Sequence, residues 1–162
     1  MTIRPAFRMP PLPQRWQGAD GREHAYGERW GMDAPPEDAY SRVTHPERYA
    51  PLHDVADALV AHLLAEYECT ASQEATDERE LRAVRLQSAP GTATVRIAWT
   101  DFPGVLADLG GDLPEAAPIC GCDACDQPLE QAAEQFCDRV LTAVSRGPRA
   151  WPLRPPEPSS ST

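Results

Sequence analysis

The hydrophobic period changes to two across residues 83–100, and this change constrains the fold more than any other feature of the chain. Apolar and polar residues alternate on both sides of Ala89-Pro90-Gly91, which is a typical turn sequence. Such alternation places one side of a strand in the core and the other in solvent. The segment is therefore predicted to be a β-hairpin with one apolar face and one face of threonine and arginine. Because two strands alone are marginally stable, the hairpin needs a third strand or a helix to pack against.

Two amphipathic helices are predicted, one on each side of the hairpin. Apolar residues recur at steps of three and four in residues 51–68 and again in residues 127–146. The apolar stripes consist of Leu52, Val55, Leu59, Leu63 and Tyr67 in the first helix and of Leu129, Ala133, Phe136, Val140 and Val144 in the second. Each stripe predicts a helix face that packs on the sheet.

Capping signals precede both helices. Thr44 and Glu47 match a capping box, in which each side chain bonds a backbone N–H near the other residue, ahead of a short turn at 45–49. Asp126 is a favourable N-cap residue for the second helix. Both helices are therefore predicted to begin with part of their free N–H groups satisfied.

The predicted fold class is α+β, with a small antiparallel sheet of two or three strands packed with two main helices. The third strand is predicted at Val105–Leu109, and residues 70–79 are predicted to be a polar loop. Composition predicts the domain organisation. Residues 1–40 are expected to form an irregular arm rich in proline and glycine, residues 41–147 a single α+β domain, and residues 148–162 a disordered tail rich in proline and serine.

Charge and composition exclude several classes of function. The formal net charge is −10, so a nucleic-acid partner is not expected because the phosphate backbone is itself negative. All 15 basic residues are arginine, which excludes mechanisms based on a P-loop, Schiff-base or general-base lysine. No apolar run is long enough for a signal peptide or a membrane span. A cytoplasmic protein without a membrane partner is expected, and a protein partner is left open.

The segment from Cys120 to Cys125 is the one dense cluster of soft metal ligands. Cys120, Cys122 and Cys125 lie within six residues, and Gly121 permits the tight backbone that would let three thiols converge. Zinc is the default metal for such thiolates, and structural zinc sites have four ligands. The sequence therefore predicts a structural zinc site formed by these cysteines.

The fourth ligand of this site is not apparent in the loop itself. Cys137 is too far along the second helix and is interpreted as a small core residue. His62, Glu66 and Cys69 share one face of the first helix, so His62 or Cys69 is the predicted fourth ligand.

Two other interpretations of the three cysteines stay open. They could be reduced thiols that only pack, or a redox or nucleophilic centre in which Cys125, at the start of the second helix, has a lowered pKa. The negative charges of Asp123 and Asp126 disfavour a thiolate and count against the redox interpretation.

No residue pattern of an established catalytic class is present, so catalytic residues are unknown and an enzyme is not the favoured interpretation. The preferred hypothesis is a non-enzymatic binding or regulatory module with a cysteine loop held by a structural metal. The alternatives are a thiol-based redox sensor and a small enzyme of unknown reaction. For the enzyme, the polar face of the hairpin with Thr94, Arg96 and Thr100 is the place where a site is expected.

Three segments resemble an uncharacterised family of small actinobacterial proteins that carries a domain of unknown function. These segments are Val43–Tyr49, Trp99–Gly104 and the Cys-Gly-Cys-Asp-Ala-Cys-Asp run at Cys120–Asp126, which is the most specific. The resemblance covers residues 26–147, and Gln127 departs from it because an acidic residue is expected there. It implies a cytoplasmic protein of no established activity and supplies no catalytic residues.

Overall fold

The computed structural model describes residues 4–18 and 20–160 of the chain. The described residues form seven strands and two α-helices, with short 3-10 turns at Glu37–Ser41 and Pro46–Tyr49. In chain order these elements are β1 (Arg15–Gln17), β2 (Glu23–Ala25), α1 (Pro51–Glu66), β3 (Thr70–Gln73), β4 (Glu80–Gln87), β5 (Thr94–Thr100), β6 (Val105–Asp108), β7 (Glu115–Ala117) and α2 (Leu129–Ser145). No described helix is long and apolar enough to cross a bilayer.

The main sheet has five antiparallel strands in the order β3-β4-β5-β6-β7, and β1 pairs with β2 in a separate hairpin. The prediction of a sheet with two or three strands is therefore wrong, although the class α+β is correct. The predicted hairpin corresponds to β4 and β5, and the predicted third strand is β6. The two missed strands lie at the edges of the sheet. All four residues of β3 are exposed and β7 has only three residues, so neither shows the alternation that marks a half-buried strand.

The core lies between the two helices and one face of the sheet. Inward-facing residues of adjacent strands are paired directly, as in Leu86 with Val95 and Trp99 with Val105. These side chains form one buried cluster with the predicted apolar stripes of α1 and α2. α1 contacts β5 and β6, while α2 packs beside β7, so the loop from β7 to α2 emerges at one end of this core.

The chain after α2 packs against the domain as far as Arg154. Trp151 is 3% exposed, and its indole N–H donates to the carbonyl of Ala93 over 2.6 Å. The N–H of Arg154 donates to the carbonyl of Glu66 over 2.8 Å. Trp151 belongs to the main buried cluster and lies edge-on to Tyr67, so this part of the predicted tail 148–162 packs on the core.

The capping box predicted ahead of α1 is not formed. The 3-10 turn at Pro46–Tyr49 is present, but its N-cap His45 has a φ of 53° and makes no side-chain capping bond. The hydroxyl of Thr44 instead donates to the carboxylate of Asp123, 79 positions away. A long-range partner has therefore replaced the local one.

Candidate metal centre

Three cysteine sulfurs converge on the loop that joins β7 to α2. The Sγ atoms of Cys120, Cys122 and Cys125 all lie within 4.8 Å of one another, and those of Cys120 and Cys122 are 3.4 Å apart. Zinc–sulfur bonds of about 2.3 Å in a tetrahedral site separate two sulfurs by about 3.8 Å, so small side-chain rotations suffice to place all three on one ion. Cys122 is buried and the other two are exposed, so the cluster faces solvent. Three cysteines in this arrangement could hold a metal ion.

Asp123 lies within the loop, and its carboxylate binds residues of the segment 29–44, which precedes α1. Oδ1 accepts from the N–H of Thr44 over 2.7 Å, and Oδ2 accepts from the hydroxyl of Thr44 over 2.9 Å. Arg29 lies 3.1 Å from Oδ1 and Arg42 lies 3.4 Å from Oδ2. Burial by itself raises the pKa of Asp123, but the bonds from Thr44 and the two guanidinium groups outweigh it and hold this pKa below the ordinary aspartate value.

Asp126 also binds the arm and does not cap α2. It has a φ of 40° and is 4% exposed, and its Oδ2 accepts from the N–H of Arg29 over 2.9 Å. The guanidinium of Arg48 lies 3.9 Å from its Oδ1. Burial raises the pKa of Asp126 above the ordinary value. The helix begins at Leu129 without any side-chain cap, so the predicted N-cap is wrong.

Backbone bonds from residues 30–42 hold the same loop. The N–H of Asp123 donates to the carbonyl of Arg42 over 2.8 Å, and the N–H of Ala124 donates to that of Ala39 over 3.2 Å. The indole N–H of Trp30 donates to the carbonyl of Asp123 over 2.8 Å. Residues 29–44 thus hold both the backbone and the acidic side chains of the loop. We call this segment the arm clamp.

Gly121 lies directly against the ring of Phe102. A β-carbon at Gly121 would overlap with the ring, with the nearest Cε atoms at 2.9 and 3.0 Å. Phe102 therefore forms a wall on one side of the cysteine loop and requires glycine at this position. The three segments that carried the resemblance meet here, since Thr44 and Phe102 both contact the run from Cys120 to Asp126.

A family model matches residues 13–160, which is most of the chain. The chain belongs to a family of unknown function, DUF6226. The match includes the arm clamp and the residues after α2, so the DUF6226 region is wider than the domain predicted from residues 41–147. Neither the curated proteins nor the solved structures contain a match. The actinobacterial origin and the diagnostic role of the cysteine run stay predictions.

Two thiols of the loop of this DUF6226 protein, Cys122 and Cys125, differ in acidity. Burial opposes ionisation of Cys122, but N–H groups of Cys125 and Ala124 and the neighbouring thiols donate to its sulfur and lower its pKa. The bonds that Cys125 makes to Cys122 and Cys120 raise the pKa of Cys125 to about 12. The prediction that Cys125 is the acidic thiol is therefore wrong, because the residue precedes α2 by four positions and hydrogen-bonds to other sulfurs. Cys137 is buried, which raises its pKa to about 12.

Neither predicted fourth ligand lies beside the cysteine loop. Cys69 is buried beyond the C-terminal end of α1 and donates to a backbone carbonyl over 3.4 Å. His62 packs edge-on against Phe7. The loop contacts the other end of α1, where the hydroxyl of Tyr49 donates to the carbonyl of Gln127 over 2.8 Å. The 16-residue helix spans about 24 Å, and this length separates the candidates from the thiols.

The polar face of the hairpin is closed by ion pairs. Arg96 bonds to Glu74 over 2.7 Å and to Glu80 over 2.6 Å, so it is not free to bind a substrate. A cleft of about 550 Å³ lies beside Thr100 at the end of β5. It is lined by Asp77, Glu78, Arg79, Glu80, Thr100, Asp101, Phe102 and Leu106. Of the three residues predicted for an enzyme site, Thr100 alone lines this cleft.

Proposed function

We propose that this DUF6226 protein is a non-enzymatic metal-binding module in which Cys120, Cys122 and Cys125 bind one zinc ion as thiolates. The observation that supports it is the convergence of the three sulfurs within 4.8 Å on a surface loop. The arm clamp binds the carboxylate of Asp123 and Oδ2 of Asp126, and among the described residues the three sulfurs are the ligand atoms that converge, so the donor set is sulfur alone. Such a set favours zinc and other thiophilic ions over magnesium or calcium.

The arm clamp makes the metal unnecessary for shaping the loop. Buried carboxylate bonds and backbone bonds already fix the segment from Cys122 to Asp126. A metal that binds a preformed site can come and go while the domain stays folded, in contrast to a zinc finger. This favours a regulatory or binding role in which metal loading changes the exposed surface around the cysteines.

Metal content measured by elemental mass spectrometry, on protein purified without a metal-affinity tag, tests the proposal. We expect one zinc per chain, masked thiols at the three loop positions, and loss of the metal when all three loop cysteines are replaced by serine. Cys69→Ala is the matched control, because Cys69 is a buried cysteine away from the loop. Equal zinc content in the triple variant and the wild type would exclude the site.

A thiol-based redox sensor is the second candidate, favoured by the 3.4 Å contact between the sulfurs of Cys120 and Cys122. Peroxide would oxidise one thiolate to a sulfenic acid with release of hydroxide, and the other thiol would then displace water to form a disulfide. Mass mapping after mild peroxide treatment of metal-free protein tests this chemistry. Selective linkage of these two cysteines is expected, with buried Cys137 as the internal control. Equal oxidation of all five cysteines would contradict it.

A further inference from the structure

The metal centre has a further property, which rests on the proposed function. We propose that the zinc ion held by Cys120, Cys122 and Cys125 has an exchangeable fourth coordination position, and that this position takes a neutral nitrogen donor of the imidazole type from outside the chain. The site would then be the binding site for a ligand or partner that presents an imidazole.

Among the residues that the structure describes, three offer converging ligand atoms and no fourth joins them. Every His, Cys, Asp and Glu of the sequence lies in residues 4–18 or 20–160, and within that part the three loop cysteines are the one group whose ligand atoms converge. Of the neighbouring acids, Asp123 binds Thr44 with its carboxylate, and Asp126 binds Arg29 through Oδ2 while its Oδ1 lies 3.9 Å from Arg48. Neither carboxylate belongs to the group of converging ligand atoms. Because zinc takes four ligands in a tetrahedron, one position is left for a group that is not part of this chain.

The open side of the site is the solvent side. The ring of Phe102 closes the side at Gly121, and Cys122 is buried against the arm clamp. Cys120 and Cys125 are exposed. Ile119, which precedes Cys120, is 71% exposed and offers an apolar contact beside the sulfurs. An external ring can therefore reach the ion from the surface.

The histidines of the chain itself are engaged elsewhere. Each of the four has contacts of its own: His24 stacks on Trp16, His45 bonds to Glu47, His53 bonds to the carbonyl of Gly104, and His62 packs against Phe7. An imidazole that completes the site within one molecule is therefore not available without breaking one of these contacts.

Charge selects a neutral donor over an anionic one. A zinc ion with three thiolates carries one net negative charge, and the chain as a whole carries −10. A thiolate or carboxylate at the fourth position would add a second negative charge, whereas imidazole adds none. The arm clamp does not offset this difference, because the guanidinium groups of Arg29 and Arg42 already bind the buried carboxylate of Asp123.

Cobalt(II) substitution of the full-length protein tests this inference, because tetrahedral cobalt thiolates absorb visible light in a way that depends on all four ligands. We expect the loaded protein to show this absorption, and imidazole to shift it saturably at constant cobalt content. Imidazole should half-saturate at about a tenfold lower concentration than acetate, which is an anion, or 2-mercaptoethanol, which must release a proton to bind as a thiolate, because both place a negative charge beside a like charge. Cys69→Ala and His62→Gln should respond in the same way as the wild type.

The outcomes separate the inference from the proposed function. Failure to bind cobalt would refute the metal site itself. Cobalt binding with a spectrum that imidazole does not change would overturn the open position while leaving the metal site intact, and tighter binding of the anionic probes would overturn the choice of donor. Sedimentation of zinc-loaded protein separates two sources of imidazole. A monomer supports an external molecule, and a dimer that imidazole dissociates supports a histidine of a second copy.

Discussion

Gly121 and Phe102 show how a single contact sets the shape of the cysteine loop. The glycine is needed because of close approach to a ring, and its φ is not in the left-handed region. The ring belongs to the turn after β5, so the requirement joins two segments that are distant in the chain. At this scale the loop depends on steric fit as much as on its sulfurs.

Gly121→Ala should lower the free energy of unfolding by about 1–3 kcal/mol, because the new β-carbon overlaps with the Phe102 ring. Urea unfolding followed by circular dichroism measures the change. Gly111→Ala is the matched control, since a β-carbon there meets nothing closer than 4.0 Å. Adding Phe102→Leu to the first variant should recover part of the loss, and no recovery would show that the ring is not the cause.

Asp123→Asn should cost about 3 kcal/mol of stability, because it removes the charge that Arg29 and Arg42 bind around a fully buried side chain. Zinc affinity should fall as well, while the stoichiometry stays at one ion, because the residue positions the loop and does not bind the metal. Chemical unfolding and zinc titration against a chelator measure the two effects. Asp38→Asn, which breaks an exposed pair with Arg42, should cost less than about 1 kcal/mol. A change in stoichiometry for Asp123→Asn would instead make this residue a ligand.

At the scale of elements, the outer face of the sheet is held by a chain of ion pairs. Arg96 on β5 binds Glu80 on β4 and Glu74 after β3, and Glu74 also binds Arg85 on β4. Three strands are thus joined by side chains on the face away from the helices. The arrangement explains why β3 is stable without an apolar side chain facing the core.

The stability of the protein should depend on pH through Glu80. The hydrogen bond from Arg96 holds the pKa of Glu80 below the ordinary value of 4.5, although burial opposes this. A lowered folded-state pKa contributes stability that is present above pH 4.5 and is lost as the pH falls through the folded-state value. Urea unfolding between neutral pH and pH 3 should therefore show a shallower acid loss for Glu80→Gln than for the wild type. Glu78→Gln, at an exposed neighbouring position, should keep the wild-type slope, and equal slopes for all three proteins would contradict the assignment.

At the scale of the whole molecule, the candidate metal centre lies outside the main core. The large buried cluster joins both helices to the sheet, whereas Cys122 belongs to a small separate cluster with Ala39 and Ala124. The domain is thus one folded body with an appended loop that the arm clamp holds in place. This division predicts how the protein should respond to removal of the proposed metal.

Removal of the metal by a chelator should leave the far-ultraviolet circular dichroism unchanged, because Cys120, Cys122 and Cys125 do not belong to the main buried cluster of helices and sheet. The melting temperature should fall by an amount set by metal affinity alone, equivalent to about 2.7 kcal/mol where free zinc exceeds its Kd a hundredfold. The variant with all three loop cysteines replaced by serine should melt like the chelated wild type. Loss of secondary structure on chelation would mean that the metal is structural in the sense first predicted.

The sequence by itself determined the features that depend on neighbours in the chain. The alternation around Ala89-Pro90-Gly91 predicted β4 and β5, and the three- and four-residue steps predicted α1 and α2, because a half-buried element leaves its period in the sequence. The spacing of Cys120, Cys122 and Cys125 predicted their convergence, because the three residues are close neighbours in the chain. Six residues of chain keep three thiols within reach of one another, and the arm clamp and Phe102 set the final shape of the loop.

Only the tertiary structure decided the features that depend on distant residues. The edge strands β3 and β7 form because a neighbouring strand offers hydrogen bonds, and their own residues carry no period that shows it. The roles of Asp123 and Asp126 were not predictable, because the groups that bind their carboxylates, Thr44 and Arg29, lie 79 and 97 positions away. The local capping argument therefore misplaced the N-cap, because a buried carboxylate pairs with whichever donors the fold brings to it. The helix-dipole argument misplaced the acidic thiol, because Cys125 lies before the start of α2 and bonds to the other two sulfurs.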